Sequence, residues 1–197
     1  MYIIDLDPMF FKLFKKVGAS YTGNMTQGDD ISALLSLTNA FRPKRFLEIG
    51  VNLGHTAKQI LQYSPFIETY IGVDIPFDQK EKTLGDQSKE VPETAGIVCT
   101  DKRLTTILRP YGVKNIDPAE IGTFDFIFID GDHSVEGITI DTEFSEKILN
   151  PGGVIVWHDY VCLPLVSAYL DLYNDTKCDN RLWWIKGTSL AFRIGTL

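Results

Sequence analysis

Arg45-Phe-Leu-Glu-Ile-Gly50-Val-Asn-Leu-Gly54 is a short apolar run that carries one acid and closes on two spaced glycines. Such β-branched and aromatic runs, without clean polar alternation, are what strands buried on both faces look like. Working outward, similar runs occur at Tyr70-Ile-Gly-Val-Asp74, Gly96-Ile-Val-Cys99, Phe124-Asp-Phe-Ile-Phe-Ile-Asp130 and Gly153-Val-Ile-Val-Trp157. Residues 56–63, 78–90, 102–108 and 135–149 read as helices between them, the last stopped by Asn150-Pro-Gly-Gly153. Strand and helix in alternation predict a Rossmann-like, doubly wound α/β fold with a mostly parallel, seven-stranded sheet. After a helix over 163–173, the runs 182–185 and 190–194, joined by Lys186-Gly-Thr-Ser189, read as a C-terminal antiparallel hairpin. The 197 residues are expected to form one domain, with 1–30 as an N-terminal helical or lid segment.

The bulk properties narrow the class. No stretch approaches the roughly 20 apolar residues that span a bilayer. The acids near Met1 do not suit a signal peptide, so a cytoplasmic protein is expected. Cys99, Cys162 and Cys178 are widely spaced, which suits a reducing compartment. A net charge of −7 repels a polyanion, so no nucleic-acid partner is expected. Lys12, Lys15 and Lys16 lie among Phe10, Phe11, Leu13 and Phe14. They read as an amphipathic helix packed on the domain in preference to a lid or a membrane-surface segment, and no membrane partner is expected.

In an open parallel sheet, ligands sit beyond the carboxyl ends of the strands, where the strand order reverses. Gly50 and Gly54 would let backbone approach a ligand there. Asp74 stands where an acid can accept hydrogen bonds from a ribose diol. A dinucleotide site wants Gly-x-Gly-x-x-Gly/Ala, but Asn52 and His55 occupy the second and third small positions. A cofactor without a pyrophosphate fits better.

With Glu48, Gly50-x-x-x-Gly54, the acid Asp74 and the terminal hairpin, the chain resembles the class I S-adenosyl-L-methionine (SAM)-dependent methyltransferases. The resemblance implies that Glu48, Gly50, Asn52 and Gly54 line the amino-acid end of SAM and Asp74 holds its ribose. It further implies that Ile75 packs on the adenine, that Asp101 contacts the adenine amine, and that Met25, in a lid at Thr22-Gly-Asn-Met-Thr26, touches the cofactor. Without a ligand, the glycines would make a tight strand–helix turn and Asp101 a helix cap.

The second signal is the pair Asp130-Gly-Asp132-His133 and Trp157-His158-Asp159-Tyr160, each at the end of a predicted strand. If those strands are neighbours, their acids and histidines meet at one rim. Carboxylates there suit a divalent ion such as Mg²⁺, and a histidine can take a hydroxyl proton as a methyl arrives. Residues 124–160 resemble the branch with sugar and macrolide O-methyltransferases and, more distantly, the catechol and caffeoyl-CoA O-methyltransferases. That resemblance implies metal ligation by Asp130, His158 and Asp159, a base at His133, and Asp130 at both the catalytic and cofactor sites. The relatives usually carry an acid or amide at the place of His158, and a histidine favours Mn²⁺, Fe²⁺ or Zn²⁺ over Mg²⁺.

The expected activity is O-methylation of a small hydroxylated metabolite such as a sugar, with Mg²⁺ or Mn²⁺ as the candidate ion. Trp157, Trp183 and Trp184 read as core packing before acceptor walls. The short chain suits a small acceptor, or a pocket completed by a second subunit in a homodimer. Two rivals stay open. One is a metal-independent N- or C-methyltransferase; the other is a catalytically idle SAM-binding interaction protein.

Overall fold

The computed structural model describes residues 1–4, 29–85, 87–177 and 182–196. The expected lid with Met25, the 10–17 segment and Cys178 lie outside these residues. One mixed sheet organises the rest. Its strands are β1 (Tyr2–Ile4), β2 (Arg45–Ile49), β3 (Thr69–Asp74), β4 (Leu104–Leu108), β5 (Phe124–Ile129), β6 (Leu149–Trp157), β7 (Trp183–Ile185) and β8 (Ala191–Ile194). They lie in the order β1-β7-β8-β6-β5-β2-β3-β4. Only β8 runs against its neighbours, pairing antiparallel with β6 and β7. The chain leaves β2 toward β3 and β4, then returns to place β5 on the other side of β2. That reversal of strand order is the crevice-forming point of a doubly wound sheet.

Because successive strand residues face opposite sides, β2 and β5 feed two cores. Phe46, Phe126 and Phe128 pack under α1 (Asp30–Phe41) and α2 (His55–Tyr63), with Leu34, Ile60 and Leu61. Leu47, Ile49, Ile127 and Ile129 pack on the other face under α4 (Val135–Ile148) and α5 (Pro164–Thr176), with Ile138, Phe144 and Leu170. Phe126 stacks on Phe46 at 4.8 Å, and Phe46 stacks on Tyr70 at 4.6 Å. A short α3 (Pro118–Ile121), capped by Asp117 and begun by Pro118, leads into β5. Ser134 caps α4 by accepting from the backbone N of Gly137.

Several expectations are corrected. The sheet has eight strands among the described residues, because residues 2–4, expected in a helical or lid segment, pair parallel with β7. Residues 96–99 form a turn instead of a strand: Gly96 has φ +75°, and its backbone N bonds Asn52 O, beneath the glycine loop. The third parallel strand is β4, in a segment expected to be helical; its Thr105 and Thr106 are β-branched, and it pairs with β3 throughout. Residues 77–82 form a 3₁₀ helix in place of the α-helix expected over 78–90. Helix α1 had no counterpart in the sequence reading. Its residues are buried nearly all round, so no polar face marks it, and Ser36 and Thr38 satisfy their hydroxyls on carbonyls one turn back.

Phe126 is fully buried and stacks on Phe46, so Phe126→Ala is expected to lower unfolding free energy by about 3–5 kcal/mol. Leu172, 63% exposed, is the control: its alanine variant should shift the urea midpoint little.

Candidate active site

The loop after β2 crosses the loop after β5 with no room for a side chain. A Cβ on Gly50 would collide with the backbone carbonyl of Asp130, and one on Gly54 would lie 2.8 Å from the Cα of Gly96. Both glycines have φ near +87° (+88° and +86°), the left-handed region that glycine enters freely. Asn52 also has positive φ (+46°). Its backbone N donates to Asp74 Oδ2 at 2.6 Å, while Ile75 N donates to Asp74 Oδ1 at 2.7 Å. Each Asp74 oxygen therefore keeps a lone pair for a diol. Burial raises the Asp74 pKa, and the two backbone donors oppose that rise.

A cavity of about 100 Å³ opens beside this loop, walled by Ile49, Gly50, Val73, Asp74, Ile75, Leu84, Tyr111, Gly112, Asp130, Gly131 and Asp141. Its mixture of apolar walls with a few acids is what a small-molecule site requires. Asp132 lines it too, accepting from Ser134 N at 2.8 Å and from Gly85 N, and so ties the loop after β3 to the loop after β5. A wider cleft continues from Gly50 and Asp130 past Glu48, Gly54, His133, His158 and Asp159. Glu48 is buried there and accepts a hydrogen bond from Tyr70 Oη at 2.8 Å. Burial pushes its carboxyl well above the usual range despite that bond.

Because Ile129 of β5 is in register with Trp157 of β6, Asp130 meets His158 and Asp159 at the rim. His158 Nδ1 lies 2.9 Å from Asp130 Oδ1 and 3.2 Å from Asp159 Oδ2. His133 Nε2 lies 3.0 Å from Asp159 Oδ2. Gln87 holds the other side of the His133 ring, with its Nε2 2.8 Å from Nδ1 and its Oε1 accepting from His133 N. Asp159 reaches this position with φ +61°, a conformation that costs a non-glycine residue of order 1 kcal/mol or more. The ligand atoms of Asp130, His133 and Asp159 all lie within 4.8 Å of one another. His133 Nε2 and His158 Nδ1 are buried, and neither makes a well-aligned hydrogen bond to the carboxylates it approaches. Two imidazole nitrogens and two carboxylates converging at one rim form a donor set that fits a divalent cation.

Burial alone would lower both histidine pKa values. The carboxylate of Asp159, 3.0 Å from Nε2, raises that of His133 instead. The charge of Asp130, with help from Asp159 and Asp30, raises that of His158 well above its ordinary value.

The structure thus brings together Glu48, Gly50, Asn52, Gly54, Asp74, Ile75, Asp130, His133, His158 and Asp159 along one continuous opening. Asp101 does not join them. It precedes β4, at the amino end of that strand, where Arg103 binds it at 2.6 Å and holds its carboxyl down to about 2. The residues that do follow β4 and reach the cavity are Tyr111 and Gly112. The sequence reading also missed Asp30, Gln87 and Ser189, which contact the histidines or their partners. None belongs to a motif. They come from distant segments and were findable only through the fold. Trp157 packs in the core, its Nε1 donating to Thr142 Oγ1 at 2.9 Å.

Sheet order, glycine loop and acid-lined opening define a doubly wound α/β protein with a small-molecule cleft at its switch point. Residues 47–160, more than half of the chain, match the model of a family described as "Methyltransferase domain". The chain belongs to that methyltransferase family, and it is an enzyme of the SAM-dependent class. No curated protein matches the sequence. Among solved structures, it is similar to the S-adenosylhomocysteine (SAH)-bound methyltransferase PaMTH1 of Podospora anserina (TM-score 0.62, 14% identity, 97% of this chain and 89% of that one covered). It is also similar to TomG of Streptomyces achromogenes, an O-methyltransferase involved in tomaymycin synthesis and solved with SAM (0.59, 14%, 98% and 92%). A third is an O-methyltransferase of Bacillus cereus solved with SAH (0.54, 15%, 97% and 92%). At these identities the likeness is one of fold. No helix among the described residues is long and apolar enough to cross a membrane.

Asp141, on α4 at the cavity wall, is held by burial at a pKa of about 8, with Asp132 adding to the rise and His133 opposing it. A carboxyl raised in the folded state binds a proton that the unfolded chain has released, so stability falls as pH rises from about 4 to about 8. Asp141→Asn removes that dependence. In thermal melts the variant should match the wild type near pH 4 and exceed it near pH 8, by on the order of a few kcal/mol.

Proposed function

We propose that this protein methylates an oxygen of a small hydroxylated molecule, such as a sugar, with a divalent cation at Asp130, His158 and Asp159. The observation that carries this reading is the convergence of those three side chains and His133 where the cofactor-type cavity opens into the wider cleft. Asp74, with a lone pair left on each oxygen, suits the ribose diol, and Ile75 beside it suits the adenine face. Gly50, Asn52, Gly54 and Glu48 line the methionine end. SAM supplies an electrophilic methyl group on a sulfonium, so the protein has to align an acceptor oxygen and remove its proton. A bound cation would orient that hydroxyl and lower its pKa. His133 then receives the proton, and Asp159, 3.0 Å away, stabilises the imidazolium formed. The oxygen forms its bond to the methyl carbon as the carbon–sulfur bond breaks, leaving neutral SAH. TomG and the Bacillus cereus enzyme, both named O-methyltransferases, support oxygen as the acceptor.

One observation favours a second reading. With His158 protonated among Asp30, Asp130 and Asp159, the rim balances much of its own charge without a cation. A metal-independent methyltransferase would use the rim in that state.

Titration calorimetry with SAH tests the cofactor site. Micromolar binding is expected, weakened in Asp74→Ala by about 10- to 100-fold, the worth of charge-assisted hydrogen bonds to the ribose. Folded protein that binds no SAH would overturn the reading. Product formation from hydroxylated acceptors should stop in EDTA and return with added Mn²⁺ or Mg²⁺; turnover that persists in EDTA selects the metal-independent alternative. Because Asp159 raises the His133 pKa and the base must be neutral, kcat should climb with pH along a limb centred above 6.5. His133→Gln should lose that limb and about 10²–10⁴-fold in kcat.

A further inference from the structure

Asp30 opens α1, and Ser189 sits at the end of the hairpin loop before β8, 159 residues further along the chain. Both are fully buried. Ser189 N donates to Asp30 Oδ1 at 2.7 Å, and Ser189 Oγ donates to Asp30 Oδ2 at 2.6 Å. The same Oδ2 lies 3.2 Å from His158 Nε2. That contact turns Nε2 toward Asp30 and fixes the orientation of the ring. Nδ1 is then the ring nitrogen that faces the rim, between Asp130 Oδ1 and Asp159 Oδ2. Carboxylate, histidine and an open ligand position in line are the arrangement in which an outer partner fixes the tautomer and strengthens the ligand.

We infer that Asp30, locked by Ser189, is the positioning residue that commits His158 Nδ1 to the cation, and that the site therefore selects a borderline transition ion such as Co²⁺, Mn²⁺ or Zn²⁺ over Mg²⁺. The inference rests on the cation-assisted reading above and adds the class of ion and the residue behind it. Mg²⁺ prefers oxygen ligands and gives up water reluctantly, whereas imidazole nitrogen suits the later first-row ions.

The test uses the full chain, stripped of metal, titrated with Co²⁺, Mn²⁺ and Mg²⁺ by calorimetry and, for Co²⁺, by its visible absorption, with SAH binding measured in parallel. Wild type should bind Co²⁺ and Mn²⁺ more than an order of magnitude tighter than Mg²⁺, with a Co²⁺ spectrum that reports nitrogen ligation. Asp30→Asn should lose about 10- to 100-fold in Co²⁺ affinity while keeping its SAH affinity. His158→Asp, an all-oxygen set, should narrow the gap between Co²⁺ and Mg²⁺. Ser189→Ala, which leaves Asp30 in place but removes one of its anchors, should weaken Co²⁺ by a smaller factor and serves if Asp30→Asn does not fold. Equal affinity for Mg²⁺ and Co²⁺ overturns the inference, as does unchanged Co²⁺ affinity in the folded Asp30 and Ser189 variants. SAH binding with no cation bound overturns the cation-assisted reading and this inference together, but leaves the cofactor site standing. Loss of SAH binding from folded wild type overturns the cofactor site instead.

Discussion

Everything at this site depends on how closely two backbones cross where the strand order reverses. Gly50 follows β2 and lies against the carbonyl of Asp130, which follows β5. Asp130 N donates to Ile49 O at 2.8 Å, and Gly50 N donates to Val73 O at 2.9 Å, so three strand ends are laced together there. The crossing places Asp130 where the narrow cavity meets the wider cleft. A side chain at position 50 would push β5 away from β2 and separate the glycine loop from the rim.

That geometry concentrates acids, and each is accommodated differently. Glu48 and Asp141 are pushed by burial toward their neutral forms. Asp74 and Asp132 take backbone N–H groups. Asp30, Asp130 and Asp159 share His158. The opening keeps a negative character around Asp74, Asp130 and Asp159, which favours cationic occupants. A sulfonium and a divalent ion are both of that kind. The site's charge depends on pH, since burial raises the pKa values of Glu48, Asp74 and Asp141 while neighbouring carboxylates raise those of His133 and His158.

Much of the fold was legible because strands buried on both faces leave dense apolar runs. The runs at 45–49, 70–74, 124–129 and 153–157 all fall within strands of the sheet. Helices with one exposed face were legible too: α2, α4 and α5 lie close to their expected positions. Two kinds of segment misled. Residues 96–99 look like a strand in composition but pack as a turn under Gly54, because backbone-to-backbone contact there is set by a partner far along the chain. Leu104–Leu108 looks helical in context, yet pairing with β3 overrides that local preference. The single misassigned strand also displaced Asp101, since a shift of a few residues moved it from one end of β4 to the other.

The sequence by itself determined the sheet class, the glycine loop, the acid that closes β3 and the two acid–histidine pairs, because each is written in contiguous residues. Only the tertiary structure decided what those histidines face. His158 is positioned by Asp30, 128 residues away, and Asp30 by Ser189, 159 residues away. His133 is held by Gln87, 46 residues away. Hydrogen bonds of a few ångströms carry no sequence signal when their partners lie on separate elements. Orientation of a ring, and hence which nitrogen is free to react, is settled only when the elements pack.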